Sequence, residues 1–271
     1  MRNGRRTFTA VVALSVAAIS AFLVLPLVVI VAASFGTDPF LKFPPTGVTL
    51  DWYRKMLELR EFTQPLWVSL RLGIVVAVLA AVAGTLASYA MVRQPGLKRY
   101  GIEQLFLLPI ILPSLVVGLS LLILFNMLGV TNAWVALTFG HIAVTMPLVF
   151  QTSGVLAATL DRNLEYAAMT LGARNGTVIG RIVLPLLRPA VVAGLVMAFA
   201  LSFDEFVISI LLANGGVTTF PVALFSYMRF SVSPTLAAIS TVLIVATCIV
   251  TVALHKLVGL ETLFGLRSRS R

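Results

Sequence analysis

The sequence predicts an all-α membrane protein whose helices cross the bilayer six times. Three observations carry that expectation. Of 271 residues, 59% are hydrophobic and only 11% are charged, a balance typical of polytopic membrane proteins rather than soluble domains. The apolar residues fall into six runs, each roughly twenty residues or more, the length a helix needs to cross ~30 Å of hydrocarbon. The basic residues are segregated between alternate gaps in those runs, as topogenic charge is.

The first run covers residues 8–33 and follows Arg2, Arg5 and Arg6. Ala32-Ala33-Ser34 offers the small residues of a signal-peptidase site. The run is nevertheless longer than a signal peptide's apolar core, so it reads as an uncleaved span. Pro26 is compatible with a membrane helix. Residues 35–64 form a mixed-charge loop, and 50–59 reads as a short interfacial helix with Trp52 and Tyr53 at headgroup depth. The second span is 66–91, with Arg71 close enough to its start to snorkel outward. The third is 102–127, with Pro109 and Pro113 early in it, and the fourth is 134–157, interrupted by Pro147. The fifth is 189–213. A loop rich in Gly, Thr, Ser and Pro follows, with a short helix expected at 220–230, and the sixth span is 235–256.

Six crossings put both termini on one side. Fourteen of the twenty basic residues lie there, among them Arg93, Lys98, Arg99, Arg162, Arg174, Arg181, Arg188, Lys256, Arg267, Arg269 and Arg271. The other six are Lys42, Arg54, Lys55, Arg60, Arg71 and Arg229. The bias predicts cytoplasmic termini. It also accounts for most of the net charge of +10, which would otherwise suggest nucleic acid; no soluble basic module is present to bind one.

Catalytic signatures are missing. No G-x-x-x-x-G-K-[ST] pattern occurs, so the chain is not expected to hydrolyse ATP, and H-E-x-x-H and G-x-S-x-G are also absent. Cys248 is the single cysteine, which excludes an internal disulfide framework. His141 and His255 stand far apart without ligand spacing and read as isolated helix residues, so no metal site is expected.

The polar stretch 158–188 between the fourth and fifth spans is the informative segment. Leu164, Ala167, Ala168 and Leu171 recur at helical spacing, and Gly172 follows where a left-handed C-cap residue belongs. Asn175-Gly176 reads as a turn. Val178, Ile179 and Ile182 then form a second small apolar face, which Pro185 is expected to close.

This loop resembles the coupling-loop signature of ABC importer permeases: Glu-Ala-Ala, three residues, Gly, nine residues, Ile, one residue, Leu-Pro. Ala167-Ala168, Gly172, Ile182, Leu184 and Pro185 stand in register. Tyr166 occupies the glutamate position, and the nearest acid is Glu165, one residue earlier. The resemblance implies a type I permease fold and a loop that docks on a cytoplasmic ATPase, with Gly172 allowing close approach.

Asp204 and Glu205 lie inside the fifth run, Asp204 about fifteen residues in and so past the midplane at 1.5 Å per residue. A charge there costs roughly 2.5–3.5 kcal/mol on insertion scales, and such residues mark transport pathways or pair with a neighbour such as Arg71 or Asn126. The segment Leu201-Ser202-Phe203-Asp204-Glu205-Phe206-Val207 is similar to spermidine/putrescine permeases. So are Thr219-Phe220-Pro221-Val222, Phe225-Ser226-Tyr227-Met228-Arg229, Val232-Ser233-Pro234 and the early Phe43-Pro44-Pro45-Thr46-Gly47 segment. The resemblance implies the second permease of a polyamine importer in the bacterial inner membrane. Its implied partners are a second permease in a heterodimer, a cytoplasmic ATPase dimer carrying ATP and Mg, an extracytoplasmic solute-binding protein and membrane lipid. The same resemblance leaves room for a permease of another small solute. A secondary transporter driven by an ion gradient is the rival from another class, but no inverted repeat is apparent.

Overall fold

The computed structural model describes residues 2–94, 96, 101–214, 216–230 and 233–258. The side chains of 2–8, 10, 250 and 253–258 are outside that description. Lys98, Arg99, Val232, Arg267, Arg269 and Arg271 therefore lie outside the described residues. Every regular element among the described residues is a helix.

Contacts divide the chain into two units. The first comprises the described parts of Met1–Thr63 and Leu224–Thr251. It holds α1 (Arg2–Ala33), α2 (Asp51–Glu58), most of α11 (Phe220–Phe230) and most of α12 (Pro234–Val258). Both short helices expected from sequence are present. The loop after α1 is tied down by the aromatic pair beside it: Trp52 Nε1 donates to Gly36 O at 2.7 Å, and Tyr53 Oη lies 2.6 Å from Ser34 Oγ. Phe62 packs edge-on against Tyr227, with ring centroids 4.9 Å apart.

The bulk of the second unit is Gln64–Ala223. It contains nearly all of α3 (Arg60–Arg93), then α4 (Ile102–Ile111), α5 (Ser114–Met127), α6 (Ala133–Thr159) and α7 (Arg162–Thr170). After these come α8 (Asn175–Val178), a π-helical stretch (Ile179–Val183), α9 (Leu184–Asp204) and α10 (Val207–Leu212). Leu72, Val76, Val117, Leu137, Val144, Ile208 and Leu212 form its principal core cluster. Polar and small residues bring α3 against α6, as is usual where lipid removes the hydrophobic drive between helices. Thr85 Oγ1 lies 3.0 Å from Ser153 Oγ in a buried position. At Gly84 a Cβ would sit 2.9 Å from Val149 Cβ and 3.0 Å from the Phe150 backbone nitrogen.

Four helical segments among the described residues are long and apolar enough to cross a membrane: Val11–Ala33, Arg60–Arg93, Ala133–Thr159 and Asn175–Asp204. Two expectations need correction. The third apolar run is not one straight helix, because α4 and α5 meet at a bend of 108°. Leu112 is extended at the bend (φ −78°, ψ 145°), the conformation that the ring of the following Pro113 imposes on the residue before it. The fifth helix is also displaced. It begins at Asn175 rather than 189 and breaks after Asp204, with only the short α10 beyond the break. Asn175-Gly176 is thus the start of a helix rather than a turn, and Pro185 does not close one. Pro185 instead lies inside the continuous helical run Asn175–Asp204, just after the π-helical stretch.

Candidate coupling loop and membrane acids

The polar loop is shaped by its caps. Asp161 Oδ1 accepts from the Asn163 backbone N–H at 2.9 Å and starts α7. At the other end Gly172 has φ +86°, which only glycine adopts without strain. Its N–H bonds Met169 O at 2.9 Å, and the Ala173 N–H reaches back to Ala168 O at 3.0 Å. This pair of bonds is the Schellman motif. It explains the spacing in physical terms: Ala168 supplies the carbonyl three positions inside the cap, and Gly172 is the left-handed residue just past it.

Leu164, Ala167 and Leu171 point outward, Leu171 with 89% of its surface exposed. The inward residue of α7 is Glu165, 8% exposed. In the second half the buried residues are Val178, Val183 and Leu187, joined in a cluster with Ala157. Ile182 is only half-buried, and Leu184 and Pro185 are exposed. The π-helical stretch causes this shift. The Leu184 N–H bonds Ile179 O, five residues back, so one extra residue enters the turn and the inward face passes from 182 to 183.

Glu165 is held by residues that sequence inspection missed. Its Oε1 makes an ion pair with Arg93 Nη2, and its Oε2 accepts from Tyr89 Oη at 2.6 Å. The Arg93 guanidinium also lies over the Tyr89 ring, 5.4 Å from the centroid. From the same helix α7, Arg162 Nη2 donates to Val92 O at 2.9 Å and Arg93 O at 3.4 Å, filling carbonyls left open at the C-terminal end of α3. These side chains border a groove of about 460 Å³, lined also by Tyr166, Met169 and Asn175. Nothing in the local sequence pairs position 93 with 165; only the fold does.

The two acids occupy a break in the fifth helix. Asp204 ends α9 and is exposed. Glu205 is extended, and its Oε1 accepts from the Ile208 N–H at 3.0 Å, capping α10. Neither acid pairs with Arg71 or Asn126 among the described residues. Buried His141 spans the break from α6. Its Nδ1 lies 2.8 Å from Ser202 Oγ, and its Nε2 lies 3.0 Å from Ser209 Oγ. Ser209 gives its one hydroxyl hydrogen to Glu205 O at 2.6 Å, so it must accept from His141 Nε2–H. Nδ1 is then bare and accepts from Ser202. The histidine of unassigned purpose is thus the tie between the two pieces of the broken helix. Among the described residues no group of three or more His, Cys, Asp or Glu is arranged to hold a metal.

The family described as binding-protein-dependent transport system inner membrane component matches residues 73–260. The spermidine/putrescine transport system permease protein PotC of Escherichia coli (strain K12) is 30% identical over 236 residues, covering 87% of this chain and 89% of that one. The putrescine transport system permease protein PotI of the same strain is 31% identical over 236 residues, covering 84% of each. A chain from the crystal structure of a bacterial ABC transporter involved in the import of the acidic polysaccharide alginate superposes with a TM-score of 0.73 at 16% identity. That superposition covers 93% of this chain and 96% of the other.

Proposed function

We propose that this chain, which belongs to the family of binding-protein-dependent transport system inner membrane components, forms part of the translocation pathway for a polyamine such as spermidine or putrescine. It is a non-catalytic, multi-pass inner-membrane permease of an ABC importer, and ATP hydrolysis belongs to a separate subunit. In our reading the chain pairs with a second, different permease. Loop 158–188 docks on a cytoplasmic ATPase dimer that carries ATP and Mg, and an extracytoplasmic binding protein delivers the solute. The chain crosses the membrane six times with both termini cytoplasmic, as the basic-residue bias favours.

The observation that carries the coupling role is the Schellman-capped helix α7, with Leu164, Ala167 and Leu171 turned outward from the chain. An apolar face on a polar loop outside the spans has no use in the isolated subunit, and a partner surface that covers it would remove that cost. Two points support the polyamine assignment. The relatives named above are polyamine permeases over most of their length. Asp204 is an exposed acid at a helix break, suited to meet a polycation. Residues assigned to coupling are Glu165, Tyr166, Ala167, Ala168, Gly172, Ile182, Leu184 and Pro185, with Asp204 and Glu205 at the pathway. The test is ATP hydrolysis by the purified complex with its binding protein across a panel of solutes. Stimulation by spermidine or putrescine is the expected result; stimulation only by an anionic or neutral solute would overturn the substrate assignment.

A further inference from the structure

We propose that Glu165, Arg93 and Tyr89 form a brace that transmits movement between the coupling helix α7 and the second span, α3. Glu165 is then a positioning residue inside this subunit rather than a contact to the ATPase. The inference rests on the coupling-loop reading above and deepens it.

The geometry supports this in three ways. The Glu165 carboxylate is turned away from the surface of α7 that would meet a partner, and both its oxygens are engaged by α3, one by Arg93 and the other by Tyr89. The tie is doubled in the opposite sense by Arg162, which reaches from α7 to the carbonyls of Val92 and Arg93. Charged groups thus hold the start of α7 to the last turn of α3 from both directions. The chain between them cannot do this, because α7 joins its neighbours through the extended Leu160 and Asp161 at one end and the Gly172 turn at the other. A push on the exposed face of α7 therefore passes through the charged ties to α3. Along α3, the buried Thr85–Ser153 contact and the close approach at Gly84 carry it to α6. Coupling through packed elements of this kind requires a tie that survives movement. A desolvated ion pair with an added hydroxyl donor meets that need better than apolar contact, which slides.

The sequence departure at Tyr166 fits the same division of labour. Tyr166 is exposed and Glu165 is not, so the partner meets an aromatic ring where a carboxylate was expected, and the carboxylate one residue earlier serves the chain itself.

The experiment uses the whole importer in proteoliposomes and measures ATP hydrolysed per solute imported. Glu165→Gln and Arg93→Met should raise that ratio by roughly fivefold or more, the lower end of coupling between linked sites. Arg93→Lys, which keeps the charge, should stay close to the unaltered protein. A ratio unchanged in Glu165→Gln and Arg93→Met would overturn the brace, since a pair that served stability alone would change the yield of complex and not its coupling. If those two variants fail to assemble, Tyr89→Phe, which removes one hydroxyl, decides between the same outcomes. Gly172→Trp separates this inference from the reading beneath it. If that variant transports normally, the coupling-loop assignment itself fails; if it does not while Glu165→Gln couples normally, the brace alone fails.

Discussion

His141 Nε2 donates to Ser209 Oγ across 3.0 Å, and the same hydroxyl donates onward to Glu205 O at 2.6 Å. At the helix break the Glu205 carbonyl accepts from Ser209 Oγ, and the Ile208 N–H of the next helix is met by the Glu205 side chain. The break is therefore a built feature, held from α6. Removing the imidazole should expose its cost. His141→Leu leaves Ser202 Oγ and Ser209 Oγ buried without their partner, and a buried unsatisfied group costs about 1–3 kcal/mol. Thermal unfolding of the purified complex should fall for His141→Leu and fall less for His141→Gln, which restores one donor and one acceptor.

Gly172 separates backbone strain from partner contact. No atom lies within 4 Å of the place a Cβ would take, so a side chain there meets nothing in this chain. Its left-handed φ of +86° still penalises any other residue by about 1–2 kcal/mol. Gly172→Ala should lose stability of that order and still recruit the ATPase. Gly172→Trp carries the same strain plus bulk at the proposed docking face, and co-purification of the ATPase should be lost.

The acids at the break should divide by role. Glu205 caps α10 through one acceptor oxygen, and Glu205→Gln keeps that oxygen, so its thermal stability should change little. Glu205→Ala removes the cap and should cost about 0.5–2 kcal/mol. Asp204 is exposed and makes no bond of this kind among the described residues. Asp204→Asn should leave stability intact while reducing polyamine uptake.

Much of this was legible in the chain because local chemistry fixed it. Gly172 announced its left-handed turn, and the Ala168-to-Gly172 interval is the span of a Schellman cap. The short helices expected at 50–59 and 220–230 are present as Asp51–Glu58 and Phe220–Phe230. What failed depended on register or on distant partners. The π-helical stretch inserted a residue that moved the inward face from Ile182 to Val183, a shift without a local sequence mark. Pro113 and Pro147 both stand inside expected spans, and Pro147 was expected to interrupt its span, yet α6 runs unbroken through Pro147 and the chain bends at Pro113 instead. Leu164 and Leu171 recur at helical spacing yet stay exposed, and the inward place on α7 goes to Glu165, paired with Arg93, a partner that local spacing does not reveal.

The most direct test of the account is uptake of labelled spermidine by proteoliposomes holding this chain, its partner permease and the ATPase, with binding protein supplied on the opposite side. The account predicts accumulation that requires both ATP and the binding protein, persists when ion gradients are collapsed, and weakens in Asp204→Asn. Accumulation driven by an ion gradient without ATP, or an assembled and ATP-hydrolysing complex that moves neither spermidine nor putrescine, would contradict it.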